Sequence, residues 1–227
     1  MKIKTLYLYG ILVIGLVQVS CVTTRHDESS DSRGMTSLDV SVEYLSEDRG
    51  VLSRKYFPQG VVLAFPYIPG EIFGTPRSRP LFQKNINHND HFTLNLVDVL
   101  PRMEEEARPL LQTWQETGLA IEPANTRLIR IGTFPFDAKT REPIGGGGFI
   151  EENSKDNLIL MYFDRACHIQ GGFEINEEVF SHDITVPGRG FHFIRVRPTA
   201  RNQFHLEYFP AQAAVKFSIH VFNLQRA

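Results

Sequence analysis

The chain has 227 residues, of which 42% are hydrophobic and 22% charged, and its formal net charge is −2 at pH 7. This length suffices for one sizeable core or two small ones. Nucleic-acid binding is excluded on charge, because the sequence has no run of Lys and Arg to match a phosphate backbone. The 17 Phe and 7 Tyr favour a β-rich core.

The first predicted element is a secretory signal over residues 1–20. Lys2 and Lys4 give a positive start, and residues 6–17 form an unbroken apolar core. As a helix, that core would be about 18 Å long, which is short of the ~30 Å hydrocarbon layer of a membrane. This order of features is typical of a secretory signal. Because the uncharged stretch continues to Thr24, an uncleaved membrane anchor is the alternative.

Ser20 and Cys21 follow the apolar core, and here the chain resembles a bacterial lipoprotein precursor. In that family a small residue precedes a cysteine, which is acylated and becomes the mature N-terminus. The resemblance implies lipidation of Cys21 and a place in the bacterial cell envelope. Gln18 departs from the family pattern, which usually has Leu, Val or Ile there. Val22 stands where members retained at the inner membrane typically carry Asp, so the outer membrane is favoured. A plain cleaved signal with a passive cysteine is the other interpretation.

Residues 23–34, TTRHDESSDSRG, contain no aliphatic or aromatic side chain. Such a segment cannot bury enough apolar surface to order itself. We therefore predict an acylated cysteine and a disordered tether over residues 21–36. A single β-sandwich-like globular domain should follow over residues 37–227.

Apolar and polar residues alternate over residues 38–44, which predicts a half-buried strand. Residues 61–65 are continuously apolar and predict a buried strand, and residues 92–96 predict another alternating one. Gly and Pro between residues 67 and 80 predict an irregular loop.

A polar cluster precedes the strand at 92–96 and contains His88, Asp90 and His91. Imidazole nitrogens and carboxylate oxygens are common ligands of divalent ions, so these three residues are a candidate metal site. Their spacing matches no metal motif, and a polar turn before a strand has the same composition.

Residues 101–117 predict one short helix, with Pro101 in its first turn and Gly118 at its end. Pro109 lies inside it and should kink or split it, because proline removes a backbone hydrogen bond and disfavours helical geometry at Arg108. Its apolar face consists of Met103, Ala107, Leu110, Leu111 and Trp114. This face predicts a helix that covers a sheet.

The segment DAKTREPIGG, residues 137–146, resembles a signature of transthyretin-like and carboxypeptidase-regulatory β-sandwiches. The resemblance implies a sandwich that serves binding or structure. Four consecutive glycines, Gly145 to Gly148, depart from that signature. We expect them to permit a hairpin or bulge with positive φ, since neither the Lys-Ser/Thr nor the helix of a phosphate loop follows.

From residue 128 onward the sequence is β almost throughout. Residues 158–163 are apolar on both faces, which is typical of a central strand, and residues 187–190 predict a turn between neighbouring strands. Short strands between Gly and Pro turns predict a mainly β fold, an antiparallel β-sandwich. The predicted strands are 128–134, 157–163, 167–175, 183–186, 191–197, 204–209 and 214–222.

Cys167 lies in an apolar run, which predicts a buried free thiol. Arg165 and His168 flank it, so a nucleophilic thiol is an alternative. A disulfide between Cys21 and Cys167 is a further alternative if Cys21 is not acylated.

Together these features favour a lipid-anchored envelope lipoprotein whose domain is a non-catalytic binding or assembly module. Its expected partners are the membrane, through the anchor, and a protein of an envelope assembly; no cofactor is expected. One alternative is a secreted metal-dependent or hydrolytic enzyme built on dispersed residues such as His88, Asp90 and His91. Another is a small-ligand sensor with an aromatic pocket around Tyr162 and Phe193.

Overall fold

The structure is a computed structural model that describes residues 34–48, 51–54, 61–71, 80–86, 91–143, 145–210 and 215–221. The predicted signal, Cys21 and most of the predicted tether lie outside the described residues. Within those ranges, no helix is both long enough and apolar enough to cross a membrane.

The described residues form strands with three short helical segments. The strands of the first half are β1 (Ser37–Asp48), β2 (Val51–Arg54), β3 (Val61–Phe65), β4 (Tyr67–Pro69), β5 (Phe82–Ile86), β6 (His91–Asn95), β7 (Arg108–Pro109) and β8 (Ala120–Glu122). The helical segments are a 3-10 turn (Val97–Val99), α1 (Leu100–Glu106) and α2 (Gln112–Glu116). The strands of the second half are β9 (Arg127–Ile131), β10 (Phe134–Asp137), β11 (Gly145–Glu151), β12 (Asn157–Phe163), β13 (Cys167–Ile175), β14 (Glu178–Val186), β15 (Gly190–Ala200), β16 (Gln203–Phe209) and β17 (Val215–Val221).

Most of these strands belong to one large sheet with the order β2-β1-β17-β11-β12-β15-β16-β14-β13-β8. β12 is its central strand and pairs with β15 along one edge. Its other edge is shared, because β11 pairs with Leu158 and β9 pairs from Leu160 onward. The sheet therefore divides at β12 into one arm through β11 and a second arm through β9.

A second sheet has three strands in the order β10-β3-β5, all antiparallel. In the large sheet, β1 with β17 and β14 with β16 are parallel pairs, and the other pairs are antiparallel. The predicted mainly β fold is confirmed; its strands are mostly antiparallel, and the two parallel pairs depart from the predicted all-antiparallel arrangement.

Two apolar cores lie on opposite faces of β12. Leu160 and Tyr162 point into the first core, which the three-stranded sheet covers with the buried side of β3. Met161 and Phe163 point into the second core, which β13, β14 and β16 share. The alternation of a strand sends successive side chains to opposite faces, so the predicted double burial of 158–163 is confirmed.

The predicted helix over 101–117 is divided at its proline. α1 ends at Glu106, and Ala107 then adopts an extended conformation with φ −59° and ψ 138°. Arg108 and Pro109 form a short strand against β9 before α2 begins. The cause is the missing N–H of Pro109 and the restriction that it imposes on Arg108.

Three local predictions were wrong. The four glycines do not form a hairpin or bulge, because Gly145 to Gly148 are extended and pair with β17. The turn at residues 187–190 does not join neighbouring strands, since β16 lies between β14 and β15. The predicted loop over 67–80 begins with a strand, β4, which pairs with β9.

Candidate functional site

A cavity of about 340 Å³ lies where the large sheet divides. Along the shared edge of β12, β9 ends opposite Leu160 and β11 pairs opposite Leu158, so Ile159 stands between the two strands. We call this space the fork cavity. It is lined by Arg130, Ile131, Gly132, Thr133, Phe134, Gly147, Gly148, Phe149, Leu158 and Ile159.

The end of β9 shapes one wall of the fork cavity. Gly132 leaves the β9–β12 ladder and donates its N–H to the carbonyl oxygen of Pro66 at 2.8 Å. Thr133 then donates its hydroxyl to the carbonyl oxygen of Gly147. This side-chain bond links the departing chain to β11 and fixes the width of the gap between the two arms of the sheet.

Glycine in β11 keeps the opposite wall open. A Cβ added at Gly148 would meet no atom within 4 Å, and the same is true of Gly146. Neither glycine has a positive φ, so backbone freedom is not what these positions require. Because Gly148 has no side chain, the space beside it in the cavity stays empty.

Arg130 supplies the one charge among the described lining residues of the fork cavity. It lies on β9 between Ile68 and Met161 of the neighbouring strands and is half-buried. Burial lowers the pKa of Arg130, and the carboxylate of Glu71 acts in the opposite direction. An arginine keeps its charge in proteins, so the cavity presents a partly desolvated cation beside apolar walls.

A second depression of about 440 Å³ lies on the face of the small sheet that is turned away from the first core. We call it the Phe134 groove. It is lined by Ala64, Pro66, Pro80, Gln83, Phe134, Phe136 and Arg141. Phe134 is 36% exposed and lines the fork cavity as well, so the two spaces adjoin at this ring.

The turn after β10 positions Arg141 at the Phe134 groove. Asp137 accepts hydrogen bonds through Oδ1 from the N–H groups of Lys139 and Thr140, both at 2.8 Å. Arg141 has a φ of +62° and donates its N–H to the carbonyl oxygen of Asp137. This side-chain capping is the structural role of the Asp in the DAKTREPIGG segment.

Cys167 is a free, buried thiol in the second core. Burial raises the pKa of the thiol to about 12, and the carboxylate of Asp164 acts in the same direction. A cysteine nucleophile needs its thiolate, so this environment disfavours the catalytic alternative.

The predicted metal site lies mostly outside the described residues. His88 and Asp90 fall in the range 87–90, and His91 is the exposed first residue of β6. Within the described ranges, no group of three or more His, Cys, Asp or Glu side chains could hold a metal ion. The site at His88, Asp90 and His91 stays a prediction.

Tyr162 and Phe193 are the residues around which the sensor hypothesis expected an aromatic pocket. Both are fully buried in the first core. The ring of Tyr162 lies 5.6 Å from that of Phe191, and the ring of Phe193 lies 5.2 Å from that of Phe149. These aromatic rings fill the space between the sheets and support the wall of the fork cavity through Phe149.

Asp164 is the centre of a polar network at the far end of β12. It accepts hydrogen bonds from the backbone N–H of Arg127 at 2.9 Å and from its Nε at 3.0 Å, and from Arg165. Burial alone would raise the pKa of Asp164, but the bonds from Arg165 and Arg127 outweigh it and hold the pKa below its ordinary value. Arg127 also donates to the carbonyl oxygen of Glu104, so the network links β9, β12 and α1.

A second ionic network covers the strand face at the edge of the first core. Arg195 pairs with Glu151 at 3.1 Å and with Glu207, which also pairs with Arg197. The guanidinium of Arg195 lies 5.3 Å from the centre of the Phe209 ring. Its charge is balanced by two carboxylates, so this network suits strand-to-strand attachment better than anion capture.

Sequence reasoning missed Arg130 and Thr133 as functional candidates. The available signal was a single arginine inside an otherwise apolar strand, in the segment RLIRI. A charge at a half-buried strand position requires a counter-charge or a polar space, and the carboxylate of Glu71 supplies a counter-charge here.

Comparison of the chain with family models, curated proteins and solved structures found no match.

Proposed function

We propose that the protein is a lipid-anchored lipoprotein of the bacterial cell envelope, and that its β domain is a non-catalytic module which binds a ligand in the fork cavity. The observation that carries the location is the position of Cys21, directly after a positive start, an apolar core and Ser20. Val22 favours the outer membrane over the inner membrane.

The chemistry of the fork cavity supports binding more than catalysis. General acid–base catalysis needs a group whose pKa lies near the working pH, and covalent catalysis needs an activated nucleophile. The polar side chains that the structure places in the cavity lining are Arg130 and Thr133. The guanidinium does not titrate near neutral pH, and the hydroxyl is engaged with Gly147. Neither of these two groups therefore exchanges a proton with a ligand near neutral pH.

Cys21→Ala tests the proposed anchor. We expect the wild-type protein to sediment with membranes and to enter the detergent phase on phase separation, because its N-terminal cysteine carries acyl chains. The Cys21→Ala variant should lose both properties. Intact-mass measurement of the extracted protein should show the acyl mass in the wild type alone.

Cys167→Ala is the matched control, because it removes the other cysteine of the chain and leaves the proposed anchor in place. It should fractionate as the wild type does. Retention of Cys21→Ala in the membrane fraction would contradict the anchor, and so would a disulfide between Cys21 and Cys167.

A further inference from the structure

The Phe134 groove lies on the face of the small sheet opposite to the first core. Leu63 and Phe65 of β3 belong to that core, so Ala64 between them points to the other face. Phe134 stands opposite Ala64 on β10, and Gln83 stands opposite it on β5. Residues that pair directly across strands share a face, so the small Ala64 forms the floor between two longer side chains.

The two ends of the groove differ in polarity. Pro66 and Pro80 line one end, where β3 has ended and β5 is about to begin. Phe136 and Arg141 line the other end, because β10 runs antiparallel to β3 and its turn follows Asp137. Proline has no N–H, so neither proline offers a main-chain donor. A ligand thus meets apolar side chains at one end and a guanidinium at the other.

Arg141 is the one charged residue among the described lining residues of the groove. It is exposed, and in the described part of the chain neither an ion pair nor a side-chain hydrogen bond engages its guanidinium. Asp137 uses Oδ1 to cap the turn. The neighbouring Lys139 and Glu142 have opposite charges, and neither lines the groove. The groove therefore offers an unpaired cation, which is complementary to a carboxylate.

The groove is open to solvent on the side that faces away from the sheet. Gln83, Phe134 and Arg141 are all exposed, so a small molecule here would keep much of its surface in water. Small-molecule pockets usually bury about 70–90% of the ligand surface. A side chain that belongs to another protein has its outer side covered by that protein, and aromatic residues and arginine are enriched in such interfaces. This shape favours a protein segment over a small molecule.

We propose that the Phe134 groove binds an extended segment of a partner protein, with a large apolar side chain over Ala64 and a nearby carboxylate on Arg141. Successive residues on one face of an extended segment lie about 6.6 Å apart, and Phe134 and Phe136 are such a pair on β10. The apolar and acidic residues of the partner should therefore be about two positions apart. This inference goes beyond the proposed ligand of the fork cavity and depends neither on that ligand nor on the anchor.

Selection from a random heptapeptide library displayed on phage tests the proposed motif. Many copies of the peptide on each phage retain weak binders, because multivalent attachment raises the apparent affinity. The full-length protein is immobilised on beads in a non-ionic detergent. We expect the enriched peptides to carry Asp or Glu about two positions from Phe, Trp or Leu. Enrichment of peptides without an acidic residue would overturn the proposal, and so would a selection that enriches no sequence.

Arg141→Gln and Lys139→Gln form a matched pair that removes one positive charge from the same turn. Both residues are exposed, and only Arg141 lines the groove. Fluorescence anisotropy of an enriched, dye-labelled peptide should show at least about a threefold loss of affinity with Arg141→Gln, since exposed ion pairs are weak but measurable. Lys139→Gln should bind the peptide as the wild type does. Equal affinity of the two variants would exclude Arg141 as the partner of the carboxylate.

Phe134→Ala tests the apolar contact independently of the charge. Leu111→Ala is its control, because Phe134 is 36% exposed and Leu111 is 39% exposed, and Leu111 does not line the groove. We expect at least about a tenfold loss of peptide affinity with Phe134→Ala, since aromatic anchors carry much of the binding energy of an interface. Leu111→Ala should retain the affinity of the wild type. Unchanged binding by Phe134→Ala would overturn the proposal.

This proposal and the proposed anchor fail separately. Arg141→Gln should remain in the membrane fraction, and Cys21→Ala should bind the enriched peptide as the wild type does. Arg141 does not line the fork cavity, so its substitution also leaves the proposed site there intact. A protein that fails the anchor test but binds the acidic peptide keeps its partner class, and an anchored protein that enriches no acidic peptide keeps its location.

Discussion

Gly171 on β13 packs its main chain against the carbonyl group of Gly118. A Cβ on Gly171 would approach the oxygen of Gly118 far more closely than the 3.0 Å that real Cβ atoms keep. The φ of Gly171 is +113° and that of Gly118 is +101°, so both residues adopt a backbone conformation that L side chains rarely adopt. This contact holds the end of α2 and the start of β8 against β13.

Gly171→Ala should therefore destabilise the fold by about 3 kcal/mol or more, because the added methyl group must displace main-chain atoms and also strains φ. The measurement is the free energy of unfolding from urea titration. Gly146→Ala is the control, since its Cβ meets open space, and it should change stability by less than about 1 kcal/mol. A similar loss in both variants would show that glycine content, and not this close contact, sets the effect.

His182 gives the fold a dependence on pH. It is 4% exposed on the face of β14 that carries Phe180 and Ile184, and its ring lies 5.2 Å from that of Phe173. Burial lowers the pKa of His182 from 6.5 to about 4; the hydrogen bond with the Gly171 backbone opposes this shift, and His205 adds to it.

Between pH 6.5 and about 4, His182 is protonated in the unfolded chain and neutral in the folded chain. The free energy of unfolding should thus fall as the pH is lowered through this window, by about 3 kcal/mol from this residue. Carboxylates elsewhere add their own acid sensitivity, so the quantity to measure is the difference between wild type and His182→Phe in urea titrations at both ends of the window. Parallel pH profiles of the two proteins would rule out His182 as the titrating group.

Asp164 should be far more important for stability than an aspartate on the surface. Its side chain is 5% exposed and accepts bonds from Arg127 and Arg165. Asp164→Ala removes these acceptors and leaves the backbone N–H of Arg127 without its partner, which should cost about 2–3 kcal/mol.

Asp183→Ala is the comparison for Asp164→Ala, because Asp183 is 71% exposed and pairs with His168. We expect that change to cost less than about 1 kcal/mol. Urea titration of both variants at neutral pH measures the contrast. Equal costs would mean that the Asp164 network does not hold β9 to β12.

The thiol of Cys167 should resist alkylation while the protein is folded. Its pKa is raised to about 12 and it is 6% exposed, so little thiolate exists at neutral pH and the reagent has little access. Peptide mass spectrometry after iodoacetamide treatment should show slow modification of Cys167 in buffer and rapid modification in urea. Rapid reaction in the folded protein would restore the case for a reactive thiol.

The hydrophobic pattern of the sequence predicted those strands whose position in the sheet follows from the burial of their own side chains. The predicted bounds 157–163 and 167–175 coincide with β12 and β13. A run that is apolar on both faces fits only the middle of a sheet, and β12 lies there. The break at Pro109 was equally predictable, because proline acts through its own covalent geometry.

Two of the strands at the fork cavity, β10 and β11, were not indicated by the sequence, whereas β9 and β12 were. β10 contains Pro135 and β11 begins with four glycines, and both residue types are depleted in strands. Their strand conformation comes from tertiary pairing with β3 and β17, which no local pattern encodes. The cavity arises where β9 and β11 share one edge of β12, so its existence depends on topology.

The parallel pairing of β1 with β17 affects the order in which the large sheet can form. β17 lies between β1 and β11, so the ladder that connects these two strands exists only once residues 215–221 are available. Contacts of such long sequence separation form late, because a large loop must close first. Synthesis from the N-terminus therefore makes residues 215–221 available only after the other described strands of this sheet. Until then, the edges of β1 and β11 that face β17 lack their partner strand, and unpaired strand edges of this kind promote aggregation.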